Sequence, residues 1–458
     1  IDRALHAVLG TGAATAAERS RAVRQARLPV KMGGCGLTLQ SKIADAACVG
    51  SWALVWRPLQ QLLPQVFASV ELERAPQPAF VELRLAHQRL METYRRVASV
   101  HGKWDTKYYD YNKDGEGCVR YHPAGLPPEK RLLPLSRYGT DDDNLQHAQR
   151  RYSSVVHHNA WLKLLTDMWQ AGRREAIRFI AVSQRGAGAF LNAVPKHKPF
   201  KVPTWAMRIE CGRRLGLPLL AVAAAGGRRS RHGAVFDALG DVAANDGHDG
   251  HQSRHFAVNN AIFGMLRRVY GGQARREPAD YAGYSDHRPD ITLLLDGTLT
   301  ALDLKIFDPI GSKPGEAGER GGHVGFGNTE EAAHAVVLGR RERGAEAPGK
   351  RYNRHTGEGY VAPVAGDYAR ARAAGVTCVP LLVETFGGFG TGLVDVLHAA
   401  DAWRQGKLTS SEYDETTWSA RKYLPFAMQR ISVAAHLAMA QEVAEALGLS
   451  VAADPRAC

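Results

Sequence analysis

Asp290, Asp303 and Lys305 are the residues whose types and spacing suit chemistry on a phosphodiester. They belong to two apolar runs, Ile291 to Leu295 and Thr298 to Ile306, that flank Asp296-Gly297. Asp-Gly between such runs is the strongest short-range signal for a hairpin with a two-residue turn. With those two residues as the loop, Leu295 pairs with Thr298, and counting outward sets Asp290 opposite Asp303. Strand side chains alternate faces. One face then carries Asp290, Thr292, Leu294, Leu299, Ala301, Asp303 and Lys305, and the other Ile291, Leu293, Leu295, Leu302, Leu304 and Ile306. Opposed carboxylates with Cβ atoms about 5 Å apart repel unless positive charge lies between them. A divalent cation supplies that charge, and Lys305 reaches the same side. Aspartates and a lysine around a hard cation are parts for metal-assisted phosphodiester hydrolysis.

The wording Pro289-Asp290, then Asp303-Leu304-Lys305, resembles the PD-(D/E)XK signature of restriction-endonuclease-like nucleases. The resemblance implies that Asp290 and Asp303 ligate Mg2+ (or Mn2+), that the carbonyl of the middle residue assists, and that Lys305 orients or activates the attacking water. Many such nucleases carry a third acid on the helix before the metal hairpin. Phe256 to Tyr270 has none, with Asn259 and Asn260 in its stead, so Glu277 and Glu384 are the auxiliary acids available. Glu277 is equally well read as paired with Arg275 or Arg276, and Glu384 is better read as a strand-end acid bonded locally.

The elements that must position these groups follow a helix, hairpin, helix, strand order. Ser253 is a good N-cap for a helix running through Tyr270, with Val258, Ile262, Met265, Leu266 and Val269 as its apolar stripe and Arg254, Arg267 and Arg268 off it. The hairpin comes next. A helix over 329–343 follows, then a basic loop with Lys350-Arg351 and Arg354 around Tyr352, and a buried strand from Val376 to Glu384. Arg254, Arg267, Arg268, Lys350, Arg351 and Arg354 are the candidate nucleic-acid contacts, since basic residues interleaved with an aromatic suit a phosphate backbone. A solvated charged face is the competing reading.

Upstream, Ser41 begins an Ala-rich helical run with Trp52 and Trp56 one turn apart, stopped by Pro58. Leu28-Pro29, Gly33-Gly-Cys-Gly-Leu37 and Ser51-Trp52 resemble the segment after the polymerase domain of non-LTR retrotransposon reverse transcriptases. Gly186 to Pro195 and Arg213-Arg-Leu-Gly-Leu-Pro218 resemble the region between polymerase and endonuclease, and read as scaffold. No Tyr-x-Asp-Asp core is present, so polymerase activity is not expected of this chain. Relatives carry a Cys/His zinc knuckle next. Here Val242 follows Asp241 where histidine is expected and no cysteine comes after it, so no structural zinc is expected. His232, His248, His251 and His255 read as polar loop histidines.

The chain of 458 residues has room for two to four domains at roughly 100–200 residues each. A net charge of +13 favours a polyanionic partner, DNA or else RNA, over a membrane. No apolar run approaches the roughly 18 residues of a membrane span. The six cysteines form no CxxC pair, which points to reduced thiols inside a cell, with the nucleus as the expected compartment.

The fold expected is α+β or α/β: a helical N-terminal half and a restriction-endonuclease-like αβα domain with a central mixed sheet. The divisions expected are 1–70 as a post-polymerase helical segment, 71–233 as a helical scaffold, 234–400 as the endonuclease-like domain and 401–458 as a helical closure. The resemblance implies a mobile-element DNA endonuclease that nicks a target strand. Two other classes stay open: a catalytically decayed nucleic-acid-binding remnant, and a protein-interaction scaffold whose positive charge serves solubility.

Overall fold

The computed structural model describes residues 9, 13–67, 69–104, 135–138, 148–220, 222, 227–230, 233–245, 248–278, 288–295, 297–310, 367–415 and 420–449. The helix expected at 329–343 and the basic residues Lys350, Arg351 and Arg354 lie outside the described residues.

Local sequence explains the first helix. Thr15-x-x-Glu18 is a capping box: the Glu18 N–H donates to Thr15 Oγ1 at 3.2 Å, and the Thr15 N–H donates to Glu18 Oε2 at 2.6 Å. Helix α1 (Ala16–Ala26) starts there. Three longer helices follow, α2 (Gln40–Leu62), α3 (Pro78–Trp104) and α4 (Ala148–Ala171). Trp52 and Trp56 of α2 pack on Phe80 of α3, with ring centroids 5.3 and 5.7 Å away. Pro58 does not stop α2; the helix runs through it to Leu62. The aromatic packing on either side of that turn outweighs one missing N–H.

The three Gly-rich scaffold motifs are joined by one buried arginine. Helices α5 (Arg173–Ala181) and α6 (Thr204–Leu215) bring Arg214, 2 % exposed, between them. Its guanidinium donates to the carbonyls of Val30 at 2.8 Å, Gly34 at 3.1 Å and Ala187 at 3.0 Å. Such close backbone approach explains the glycines: a Cβ on Gly34 would stand 2.0 Å from the Leu28 carbonyl oxygen.

The sheet has four strands in the order β1 (Arg275–Arg276), β2 (Ile291–Leu295), β3 (Thr298–Phe307) and β4 (Thr377–Glu384). The first two pairings are antiparallel and β3–β4 is parallel, so the sheet is mixed. The hairpin register is the expected one, Leu295 with Thr298 and Ile291 with Leu302. Ile291, Leu293, Leu302, Leu304, Leu381 and Val383 bury one face. Opposite them lie α7 (His248–Tyr270), α8 (Thr391–Trp403) and α9 (Tyr423–Ala446). Each such side chain contributes about 1.5–3 kcal/mol on burial. Phe200, Tyr423 and Phe426 enter the same core, which is therefore not confined to 234–400. On the other face, Ala301 and Cys378 pack against Ala371 and Val376. The protein is thus helical with a small mixed sheet, an α+β architecture.

Helix α7 begins at His248, so Ser253 lies inside it and is not its cap. The added turn is pinned by Arg254, which donates to the Ala244 carbonyl at 3.0 Å and pairs with Glu442 of α9 at 2.7 Å.

The segment where relatives would carry a knuckle is held by ion pairs. Arg174 binds Asp237 at 2.9 Å and Asp241 at 2.6 Å, and Arg213 stands 3.6 Å from Asp241. Asp237 Oδ2 accepts the Val242 N–H at 2.6 Å, and Val242 is buried against Val443 and Ala444. Cys35, Cys48, Cys211 and Cys378 are reduced cysteines, outside any disulfide among the described residues. Among the described residues, no helix is long and apolar enough to cross a membrane.

Candidate metal centre

Two steps beyond Ile291–Leu302, the hairpin register sets Pro289 opposite Leu304. Proline has no N–H, so the ladder cannot continue to the Leu304 carbonyl. Two side chains meet the Leu304 main chain there, and only the one on its carbonyl replaces the donor that proline lacks. Asp290 Oδ2 accepts the Leu304 N–H at 2.7 Å, and the His255 Nε2–H donates to the Leu304 carbonyl at 3.2 Å. The same His255 nitrogen lies 3.4 Å from Asp290 Oδ2. Asp303 Oδ1, across the hairpin, accepts the Asp290 N–H at 3.3 Å.

Burial separates the two acids. Asp303 is 2 % exposed, whereas the Asp290 side chain keeps 15 % of its surface. Lys305 is half-buried on the Asp303 side of the sheet, in register with Leu382. The hydrogen bond to Asp290 holds the His255 imidazole above its ordinary pKa, against burial and the nearby Lys305 charge. Among the described residues, no group of three His, Cys, Asp or Glu side chains is placed to hold a metal ion. The donors that do gather are mixed: a carboxylate oxygen of Asp290, the main-chain carbonyl of Leu304 and a ring nitrogen of His255.

The auxiliary acids stand at the margins. The Glu277 N–H donates to the Asp290 carbonyl at 3.2 Å, while its exposed carboxylate pairs with Arg276 at 3.6 Å. Its φ of 40° is left-handed, an uncommon conformation for a residue with a Cβ. Glu384 ends β4 in register with Phe307, roughly 6–7 Å along the sheet from the level of Lys305. It is 7 % exposed, and a Cβ on Gly388 would meet its Oε2 at 2.7 Å.

Of the arginines named as nucleic-acid contacts, Arg254 requires correction. It is 5 % exposed and faces inward, its guanidinium paired with Glu442 of α9. Arg267 is exposed and lies over the Phe263 ring at 5.7 Å. Arg268 binds Glu415 at 3.2 Å and approaches Glu412 at 3.6 Å.

His255 is the site residue that the sequence reading placed in a loop. The signal was its spacing. Within α7, His255 and Asn259 stand one turn apart on the same side as Val258 and Ile262, facing the sheet. Asn259 is 1 % exposed, and its Oδ1 has no hydrogen-bond partner among the described residues.

Compared with known proteins, the chain matches no family model and no curated protein.

Proposed function

We propose that the protein is a metal-dependent DNA endonuclease of restriction-endonuclease-like type, derived from a mobile element and acting in the nucleus. One observation carries the reading: at the end of a tight hairpin, Asp303 Oδ1 accepts the Asp290 N–H and Asp290 Oδ2 accepts the Leu304 N–H, with Lys305 on the Asp303 side. The parallel pairing of β3 with β4, with α7 behind the hairpin, supports the fold assignment.

Asp290, the Leu304 carbonyl and Asp303 would hold Mg2+ or Mn2+, which supplies charge stabilisation at the phosphoryl oxygen and a more acidic bound water. Asp290 presents the more accessible carboxylate. Asp303 fixes Asp290 through its main-chain amide. Lys305 places positive charge where negative charge grows on the phosphate during attack. Positive charge elsewhere, including Arg267, would hold the DNA or RNA backbone.

Supercoiled plasmid incubated with Mg2+ or Mn2+ tests this reading. Wild type nicks the plasmid, and Asp303→Ala and Lys305→Ala each slow nicking at least about a hundredfold, the scale expected for removing a preorganised catalytic charge. Equal rates for wild type and an Asp303→Ala/Lys305→Ala double variant would overturn it. A second reading, a nucleic-acid-binding remnant without catalysis, is favoured by the deep burial of Asp303. It predicts salt-dependent DNA binding with no nicking in either metal.

A further inference from the structure

The proposed site lacks an acidic residue on its helix, and the geometry points to His255 of α7 as the helix-borne donor that completes it. We propose that His255 Nε2 ligates the metal together with Asp290 Oδ2 and the Leu304 carbonyl, so that the site takes Mn2+ in preference to Mg2+. This inference rests on the reading of the site as a metal centre.

Distances support it. Donor atoms bound at about 2.0–2.2 Å to one cation stand roughly 2.8–3.6 Å apart in octahedral or tetrahedral arrangement. His255 Nε2 lies 3.2 Å from the Leu304 carbonyl oxygen and 3.4 Å from Asp290 Oδ2. Both separations fall inside that range, so an ion can enter with small adjustments. Ligation would release the Nε2 proton to bulk water, and the imidazole would keep its other proton on Nδ1.

A second observation lies on the same face of the same helix. One helical turn beyond His255, Asn259 is buried with its Oδ1 unmatched among the described residues. A buried amide oxygen without a donor costs about 1–3 kcal/mol. A metal-bound water is a donor that would satisfy it. The two polar residues on the sheet-facing stripe of α7 therefore carry one nitrogen and one oxygen, where an acid would carry two oxygens.

The nitrogen decides the metal class. Imidazole is a ligand for borderline transition metals, whereas Mg2+ takes oxygen donors and water. Mn2+ accepts both kinds, which suits a carboxylate, a carbonyl and an imidazole together.

The test uses the full chain and Mn2+ itself. Pulsed electron paramagnetic resonance of the Mn2+-loaded wild type should show coupling to a directly bound ring nitrogen. Titration should give Mn2+ affinity at least tenfold above that for Mg2+. His255→Ala should lose both the nitrogen coupling and at least tenfold in Mn2+ affinity, and His255→Glu should move the preference towards Mg2+. Should a variant fail to fold, the wild-type spectrum decides. Mn2+ bound without nitrogen coupling, and lost on Asp290→Asn yet kept on His255→Ala, would overturn the role of His255 while leaving the metal centre intact. Tighter binding by His255→Ala would overturn it too, showing the imidazole to be a competitor for the metal. Wild type that binds neither ion at millimolar concentration would remove the metal centre itself.

Discussion

The Asp290 carboxylate accepts the Leu304 N–H at 2.7 Å, just beyond the last paired residues of the hairpin. Leu304 is fully buried, so this hydrogen bond is a structural one as well as part of the candidate site. The two roles separate by substitution. Asp290→Ala leaves a buried N–H without its acceptor and should cost about 1–3 kcal/mol. Asp290→Asn keeps an oxygen for that N–H but loses the charge. Urea denaturation should therefore show Asp290→Asn within about 1 kcal/mol of wild type, with nicking and metal binding lost. Equal destabilisation by both variants would mean that the charge, and not the acceptor, holds the turn.

The hairpin was legible because two local signals agreed: Asp296-Gly297 fixed the turn, and alternation fixed the face. Ile291 and Leu302 accordingly meet as counted. What the sequence concealed was long-range. His255 reaches Leu304 across 49 positions, and nothing near it in the chain marks that partner. Arg254 resembled a surface cation because its partner, Glu442, lies far along the chain on α9. The Gly-rich motifs near 33, 187 and 214 looked like separate pieces of scaffold, and only the folded chain brings Arg214 to all three.

That correction separates two arginines of α7. Arg267 is exposed, so Arg267→Ala should change stability by less than about 0.5 kcal/mol. If it faces nucleic acid, the same change should weaken DNA binding and reduce the salt slope by about one unit. Arg254→Ala removes the guanidinium 2.7 Å from the buried Glu442 carboxyl, at a cost of about 3–5 kcal/mol. Denaturation curves and salt-dependent binding on the two variants check both. A destabilised Arg267→Ala, or an undisturbed Arg254→Ala, would contradict the placement of these side chains.

The same ion pair sets a pH dependence. Burial pushes the Glu442 carboxyl up to about 7, against the lowering effect of Arg254 and Arg213. The folded state thus binds this proton more tightly than the unfolded chain, whose glutamates titrate near 4.3. The stability it contributes is fully present below about pH 4.3 and is lost as pH rises through about 7. Glu442→Gln cannot titrate, so it should flatten the fall in denaturation midpoint between pH 5 and 8 (about one group's share). An unchanged slope in that variant would assign the fall to other groups.

Pro58 gives the last test, since a helix rarely accommodates an interior proline without cost. Its ring removes the N–H that the Leu54 carbonyl would otherwise accept, a loss of up to about 3 kcal/mol in a helix interior. Helix α2 nevertheless continues to Leu62. Trp56, two residues before the proline, is buried against Phe67 and Phe80, and Trp52 packs on Phe80 one turn earlier. These contacts lie on the turns either side of the break and hold the axis in line. Pro58 itself is exposed, so alanine there opens no cavity. Pro58→Ala should therefore restore the hydrogen bond at no packing cost and raise stability by about 1–3 kcal/mol. Phe80→Ala should have the opposite effect, a loss of about 3–5 kcal/mol, because it removes the ring on which both tryptophans rest. A Pro58→Ala variant no more stable than wild type would show that the proline aids the fold by stiffening the unfolded chain, and that the aromatic cluster need not compensate for it.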